Sequence, residues 1–318
     1  MKEIKLIKNR SDIGAGTRGS DMGIDAMEVA AISVKSDYFN QFAFVEVETN
    51  NESIYNKVNA PYAKRITHVR QHCQRVADNV KTTLKENHFP IVLSGDHSSA
   101  LGTISGIKAC YPNKRLAVIW IDAHADLHSP YTSPSGNIHG MPLAAALGKD
   151  NLKCQINEIA DHTENEWLKL KNTGIEGPKI LSSDLVFFGV RDTESPEEQL
   201  MESLNIKNYR VAEVRYRGLE TCVAEAIANL DACDLIYISF DVDSLDCDLV
   251  SKGTGTPVSK GFDPEEAKAI ITQLVVTGKV ACLEVTEVNP LLDNKGNKMA
   301  ETAFDILHTV TPKLKENS

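Results

Sequence analysis

The sequence has no apolar run near the roughly 20 residues that a membrane-spanning helix needs, and its first ten residues lack the apolar core and cleavage site of a secretory signal. Basic residues are also too few for a nucleic-acid binder. The 34 lysines and arginines face 44 aspartates and glutamates, which gives a net charge of −10. We therefore expect a cytoplasmic protein that binds neither a membrane nor a nucleic acid.

Paired cysteines and domain linkers are missing as well. The seven cysteines are an odd number and none stands in a C-x-x-C motif, which is typical of reduced thiols in the cytosol. The chain has no internal repeat, no low-complexity tract and no Pro/Gly-rich linker. A length of 318 residues is compatible with two domains, but without a linker we expect a single domain over residues 1–318.

The chain has enough hydrophobic residues to form a large core, because 42% of its residues are hydrophobic and 25% are charged. Short apolar runs alternate with longer amphipathic stretches, of which 63–86 and 263–277 have helical spacing. Continuous apolarity is typical of parallel strands covered by helices on both faces. The pattern predicts an α/β fold with a mostly parallel central sheet. The predicted strands are 90–95, 115–122, 184–192, 234–243 and 279–288.

Two weakly patterned segments are assigned to the periphery. The polar region 144–180 is interpreted as an insertion, and the charged tail 311–318 is expected to be frayed.

Polar residues accumulate where the apolar runs end. Asp122, His124 and Asp126 follow one run, and Asp241 and Asp243 end another. Residues two apart on an extended strand point to the same face, and the carboxyl ends of parallel strands form the crevice in which ligands bind. We therefore expect these side chains to converge.

Four carboxylates in one place require positive charge between them, because packed anions repel one another and buried ones are costly. A pair of divalent metal ions is the simplest source of that charge. Carboxylate oxygens with one or two imidazoles suit Mn²⁺, and the lack of cysteine ligands is against structural zinc. The alternative interpretation is that both motifs only cap strand ends in contact with water.

Four blocks in order along the chain, SGDHS at 94–98, DAHAD at 122–126, SFDVD at 239–243 and EVNP at 287–290, resemble the metal-binding blocks of the ureohydrolase family, which includes arginase and agmatinase. Residues 14–23 are similar to the family's first block. The resemblance implies an arginase-like three-layer α/β/α fold, two Mn²⁺ per chain, and assembly as a homo-oligomer, a trimer or a hexamer. It implies one ion on His97, Asp122, Asp126 and Asp241, and the other on His124, Asp122, Asp241 and Asp243.

The substrate that the resemblance implies is a small guanidine, L-arginine, because TSPSGNIHGMP at 132–142 is similar to the loop of bacterial-type arginases. An enzyme for arginine needs hydrogen-bond donors for the α-carboxylate, and Ser135 and Asn137 are suitable types on a turn-rich loop. By resemblance, Asp192 and Glu194 contact the α-amino group. Thr256 and Glu287 contact the guanidinium, which pairs well with a planar carboxylate.

Two residues depart from the family's arginases at the amino-acid end of the pocket. His128 stands where asparagine is usual as a further carboxylate contact, and Glu194 stands where aspartate is common. The metal set is complete, so the departures affect the choice of substrate. Agmatine, guanidinobutyrate and formimidoylglutamate stay open as alternative substrates, and so does a catalytically silent metal-binding sensor.

The expected activity is that of a binuclear manganese amidinohydrolase, a hydrolase of linear amidines. A guanidinium carbon does not react with neutral water, but two metal ions about 3.5 Å apart can lower the pKa of a bridging water to near neutrality. Attack by that hydroxide gives a tetrahedral intermediate that collapses to L-ornithine and urea. Asp126 is expected to accept the nucleophile's proton, Glu287 to stabilise the intermediate, and His139 to act as the acid or proton shuttle.

Overall fold

The computed structural model describes residues 2–317 and builds them around one eight-stranded sheet in which all paired strands are parallel. The order of the strands across the sheet is β2-β1-β3-β8-β7-β4-β5-β6. This confirms the α/β class with a mostly parallel sheet. The strands are β1 (Ile4–Asn9), β2 (Ala43–Glu46), β3 (Phe89–Ser94), β4 (Leu116–Ile121), β5 (Leu185–Phe188), β6 (Lys207–Tyr209), β7 (Leu235–Asp241) and β8 (Val280–Thr286).

Helices cover both faces of the sheet and give three layers. One hydrophobic cluster joins the sheet to α1, α7, α8, α9 and α10, and a second joins it to α2 through α6. The helices are α1 (Gly23–Ser33), α2 (Ile66–Lys85), α3 (Ala100–Cys110), α4 (Pro142–Leu147), α5 (Asp161–Lys171), α6 (Ser195–Ser203), α7 (Val211–Arg217), α8 (Leu219–Asn229), α9 (Pro264–Val275) and α10 (Lys298–Asn317).

The two covered faces explain the continuous apolar runs of the sequence. Every residue of β4 is buried. Ile119 and Trp120 are consecutive residues of this strand, and they belong to the first and the second hydrophobic cluster, respectively. Successive side chains of a strand point to opposite faces, so both faces demand apolar residues when helices cover each of them. The five predicted strands all correspond to strands of the sheet, with ends shifted by a few residues.

Three strands, β1, β2 and β6, are not among the predicted ones. Strand β2 is a largely exposed edge strand, and β6 has only three residues. Strand β1 is buried, but lysines interrupt its apolar residues. Lys8 is only 6% exposed because its ammonium forms a 2.6 Å ion pair with Glu28. A buried lysine that reaches a partner in this way weakens the apolar signal of its strand.

Both segments contribute helices that pack on the core, so the expectation of a frayed tail is wrong. Region 144–180 contains α5, which packs against α2 and buries Trp167 and Leu170 in the second cluster. In the tail, α10 continues to Asn317, and Leu314 is buried in the first cluster. Few apolar residues mark either segment, but those few lie on one helical face and reach the core.

The described residues include neither a candidate membrane-spanning helix nor a disulfide bond. Within 2–317, no helix combines the length and apolarity that crossing a bilayer requires. All seven cysteines are free thiols, and Cys247, the one nearest the strand-end motifs in the sequence, is buried.

Candidate active site

The carboxyl ends of four adjacent strands, β3, β8, β7 and β4, meet at one edge of the sheet. His97 follows β3, Asp122 follows β4, Asp241 ends β7 and Glu287 follows β8. In a parallel sheet such ends form the ligand crevice. Here they open into a cavity of about 250 Å³. The cavity is lined by His97, Asp122, His124, Asp126, His128, Ser135, His139, Gly140, Asp192, Thr193, Glu194, Glu197, Asp241, Asp243, Thr256 and Glu287.

His97 is the centre of a first group of candidate metal ligands. Its Nδ1 atom lies 3.0 Å from Asp122 Oδ2, 3.0 Å from Asp241 Oδ2 and 3.3 Å from Asp126 Oδ2. The other ring nitrogen, Nε2, lies 2.7 Å from Ser239 Oγ. The imidazole also stacks on Trp120 with ring centroids 3.9 Å apart. These contacts fix the ring so that Nδ1 faces the carboxylates.

His124 is the centre of a second group. Its Nδ1 atom lies 2.9 Å from Asp243 Oδ2 and 3.5 Å from Asp122 Oδ1, and its Nε2 atom lies 3.5 Å from Asp192 Oδ2. Asp122 therefore presents one oxygen to each imidazole. It is the residue that joins the two groups.

The electrostatics of the cavity reflect the excess of buried carboxylates. Burial raises the pKa of Asp241 well above its ordinary value, and the charges of Asp243 and Asp122 raise it further. Burial and the charge of Asp122 raise the pKa of Asp126 to about 7. Burial alone would lower the pKa of His97, but the nearby carboxylates of Asp122, Asp126 and Asp241 raise it well above the ordinary value. Protons on the imidazoles offset the negative charge when no metal ion does.

The residues present fit a pair of divalent cations. Two buried atoms that face one another, His97 Nδ1 and Asp122 Oδ2, have no hydrogen-bond partner, although polar atoms inside a protein normally have one. A cation between them would satisfy both. Carboxylate oxygens and imidazole nitrogens are the donors that a hard or borderline ion such as Mn²⁺ prefers. Two triplets that line the cavity have ligand atoms within 4.8 Å of one another: His97, Asp122 and Asp126; and Asp122, His124 and Asp243.

Glu287 and His139 form a pair at the cavity wall. Glu287 Oε1 lies 3.0 Å from His139 Nδ1 and accepts a 2.9 Å hydrogen bond from the backbone N–H of His97. Burial alone would lower the pKa of His139, but the bond to Glu287 raises it to about 9. The same bond lowers the pKa of Glu287 against the effect of burial. At neutral pH the pair is therefore an imidazolium and a carboxylate.

Two residues of the cavity have left-handed backbone conformations that non-glycine residues rarely adopt. Asp126 has φ of 50° and Glu287 has φ of 66°. Such conformations cost free energy and concentrate at functional sites, where the surrounding structure enforces them. The backbone N–H of Glu287 is held by the carbonyl of Gly95 at 2.9 Å.

His128 and Glu194 lie together at another part of the wall. His128 Nδ1 is 3.1 Å from Thr132 Oγ1, and its Nε2 is 3.3 Å from Glu194 Oε2 and 3.4 Å from Glu197 Oε2. Two carboxylates therefore approach the same nitrogen of the imidazole. No feature of the sequence had indicated this arrangement.

Asn137 is the one predicted site residue that does not line the cavity. Its Oδ1 atom accepts a 3.3 Å hydrogen bond from Lys64, and its side chain lies against Gly16, where an added Cβ would come within 2.6 Å of Asn137 Nδ2. Its neighbour on the same loop, Ser135, does line the cavity. The contact of Asn137 with a substrate stays a prediction.

Glu197 lines the cavity although the sequence analysis does not name it. It is 4% exposed, and its carboxylate accepts 3.1 Å hydrogen bonds from the backbone N–H groups of Leu127 and Glu194. Burial raises its pKa to about 7. The sequence signal for Glu197 is the start of helix α6 at the cap residue Glu194. A glutamate three residues after a cap residue often accepts a hydrogen bond from the backbone N–H of that cap residue.

Known proteins similar to this chain include arginases from bacteria. The family model described as "Arginase family" matches residues 2–311. The arginase of Bacillus subtilis strain 168 is 34% identical over 314 residues, which cover 98% of each chain. The solved structure of the Bacillus caldovelox arginase has a TM-score of 0.84 at 32% identity and 98% coverage of both chains. The solved structure of the Bacillus cereus arginase has a TM-score of 0.81 at 31% identity, and the match covers 97% of this chain and 98% of that one.

Proposed function

Because this chain belongs to the arginase family of hydrolases that act on amidino C–N bonds, we propose that it is a binuclear manganese enzyme that hydrolyses L-arginine to L-ornithine and urea. The observation that carries the proposal is a single cavity lined by both ligand triplets and by Glu287, Ser135, Asp192 and Glu194. Carboxylates at its wall suit the guanidinium and the α-amino group, and the Ser135 hydroxyl suits the α-carboxylate.

The proposed metal ligands follow the two groups described above. One Mn²⁺ would be held by His97, Asp122, Asp126 and Asp241, and the other by Asp122, His124, Asp241 and Asp243. The short distances from His97 and His124 to these carboxylates support the assignment. When bound, the two ions would supply a hydroxide nucleophile at neutral pH and offset the negative charge of the site.

The guanidinium of the substrate is proposed to bind Glu287 and Thr256. Glu287 Oε1 is already engaged by His97 and His139, whereas Oε2 has only a 3.5 Å contact with the Ser20 hydroxyl and is available. The Thr256 hydroxyl donates its hydrogen to Asp243 Oδ2 at 3.0 Å, so its lone pairs can accept a guanidinium N–H. These two contacts orient the guanidinium carbon for attack.

Proton transfer is proposed to use Asp126 and His139. The Asp126 carboxylate lines the cavity and lies 3.3 Å from His97 Nδ1, so it stands beside the proposed nucleophile and can accept its proton. His139 carries a proton at neutral pH and its side chain is 18% exposed, so it can protonate the departing amine or exchange with solvent. Cleavage of the C–N bond then gives urea and L-ornithine.

The test measures urea release from L-arginine, agmatine and guanidinobutyrate, and formamide release from formimidoylglutamate, by protein stripped of metal and reloaded with Mn²⁺. Urea from L-arginine alone would support the proposal, and the metal-stripped protein is the control. Urea from agmatine or guanidinobutyrate alone, or formamide from formimidoylglutamate, would move the substrate within the family. No product from any of them, with two Mn²⁺ bound per chain, would favour a silent metal-binding sensor, and no bound metal would contradict the proposed centre.

We also propose that the chain works in the cytoplasm as a homo-oligomer, a trimer or a hexamer. The family resemblance supports the assembly, and the free thiols of all seven cysteines support the reducing compartment. Light scattering on the purified protein tests the first proposal, and fractionation of cells tests the second.

A further inference from the structure

Arg191 stands between strand β5 and Asp192, and it is not among the residues that line the cavity. All of its side-chain hydrogen bonds within the described residues go to backbone carbonyls. Nη1 donates to Gly189 at 3.1 Å, Nε to Ser259 at 3.0 Å, and Nη2 to Val258 at 2.9 Å, Asp243 at 3.0 Å and Leu245 at 3.3 Å. A planar guanidinium with five N–H groups is the one side chain that can serve so many acceptors at once.

The backbone of Arg191 reaches a third loop. Its N–H donates to the Ala123 carbonyl at 2.8 Å, and the N–H of Asp192 donates to the same carbonyl at 3.0 Å. Ala123 lies between the candidate ligands Asp122 and His124. One residue thus joins the loop after β4, the loop after β7 that carries Asp243, and the segment that follows Thr256.

The fold leaves space for this side chain at Gly261. A Cβ added there would lie 2.6 Å from Arg191 Nη2 and 2.4 Å from the Ser244 carbonyl oxygen. Real Cβ atoms do not approach other atoms so closely, so any larger residue would push the guanidinium off its acceptors or move the loop after β7. Glycine at this position is therefore part of the same arrangement.

The hydrogen bonds of the Arg191 guanidinium hold the second group of candidate metal ligands and not the first. The guanidinium reaches the backbone carbonyl of Asp243, which belongs to the second triplet alone. The bonds to the Ala123 carbonyl come from backbone N–H groups, which a replacement of the side chain keeps. His97 is held by Trp120 on β4 and Ser239 on β7, and within the described residues the hydrogen bonds that Arg191 donates do not go to these two strands. Loss of the guanidinium should therefore loosen the second group and leave the first in place.

We infer that Arg191 is a positioning residue that fixes Asp243 and the Thr256 segment against the Asp122–His124 segment, and that the metal site of Asp122, His124 and Asp243 depends on it. The inference rests on the proposed binuclear centre. Residues that orient metal ligands typically change metal affinity by about 10- to 100-fold when they are replaced. The expected result is a selective loss of one of two ions.

The experiment compares Arg191→Met and Arg191→Lys with Arg75→Met as the matched control. Arg75 also donates to backbone carbonyls, those of Glu48 and Thr49, but it lies outside the cavity. Mn²⁺ binding is measured by equilibrium dialysis, and electron paramagnetic resonance distinguishes a lone Mn²⁺ from a coupled pair. We expect two ions in the wild type and in Arg75→Met. In Arg191→Met we expect one ion with near-normal affinity and a second weakened by about 10-fold or more, with Arg191→Lys intermediate.

A second readout needs neither metal nor substrate. Hydrogen–deuterium exchange on the metal-free protein should become faster in residues 241–246 and 256–262 of both Arg191 variants, and should stay unchanged in Arg75→Met. If Arg191→Met does not fold, Arg191→Lys alone decides between these outcomes.

Three outcomes would overturn the inference: two ions bound with wild-type affinity in the Arg191 variants, equal weakening of both ions, or unchanged exchange in the two loops. A wild-type protein that binds no Mn²⁺ would contradict the proposed metal centre. Faster exchange in such a protein would still show that Arg191 holds the loops, but the claim about metal selectivity would fall with the centre.

Discussion

His139 and Glu287 are 148 positions apart in the chain, yet their Nδ1 and Oε1 atoms lie 3.0 Å apart at the wall of the cavity. The contact joins the loop after β4 to the end of β8 and places a protonated imidazole beside the carboxylate proposed to bind the guanidinium. One ion pair therefore links the proposed acid to the proposed substrate contact.

Replacing His139 by alanine is expected to lower kcat for urea release by about 100-fold or more, because general acid catalysis contributes about 10²- to 10⁴-fold. Metal content should stay at the wild-type value, since His139 belongs to neither ligand triplet. The measurement is steady-state urea release together with Mn²⁺ analysis. Full turnover by His139→Ala would remove the catalytic role.

The His139–Glu287 pair also predicts how stability depends on pH in the metal-free protein. The pKa of His139 is raised from 6.5 to about 9, so its contribution to folding is fully present below pH 6.5 and is lost as pH rises through about 9. The urea midpoints of wild type and His139→Ala should therefore differ most below pH 6.5 and converge above about pH 9. A difference that grows as pH rises would contradict this sign.

Asp122 is predicted to be needed by both metal ions and Asp126 by only one. Asp122 presents an oxygen to each imidazole, whereas Asp126 is close to His97 alone. Elemental analysis of Asp122→Asn after dialysis should find both ions weakened, by about 10-fold or more, while Asp126→Asn should keep the ion at His124. Equal losses in the two variants would show that the sites are not divided in this way.

His128 is predicted to act on the amino-acid end of the substrate. If His128 contacts the α-carboxylate, His128→Ala should raise KM for L-arginine several-fold, which corresponds to a loss of about 1 kcal/mol of binding free energy. The value of kcat should stay unchanged, because the contact is equally strong in the ground state and the transition state. His128→Asn, which introduces the residue usual in the family's arginases, should restore KM. Steady-state kinetics on both variants provide the test, and a fall in kcat at constant KM would contradict the assignment.

Helix α5, which lies in the segment interpreted as an insertion, is predicted to stabilise the whole fold. Trp167 is 1% exposed, so Trp167→Ala should cost about 3–5 kcal/mol of unfolding free energy. The neighbouring Leu168 is 53% exposed, and Leu168→Ala should change stability by no more than about 0.5 kcal/mol. Denaturant unfolding of the two variants measures the difference, and equal effects would argue against α5 as part of the core.

The sequence by itself determined the strands that are covered on both faces and the candidate metal ligands at their ends. Continuous apolar runs such as 115–122 arise from burial of successive residues, and Asp122, His124 and Asp126 stand at the end of one of them. These are local signals, because the period of a strand and the position of its end are properties of a few consecutive residues.

Only the tertiary structure decided which distant loops meet. The course of the loops, and not the sequence pattern, places Asn137 against Gly16 and Lys64. It also places Glu197 beside His128 and five backbone carbonyls around the guanidinium of Arg191. Such contacts depend on packing between segments far apart in the chain, which no local period encodes. The residue types were visible in the sequence, but their partners were a property of the fold.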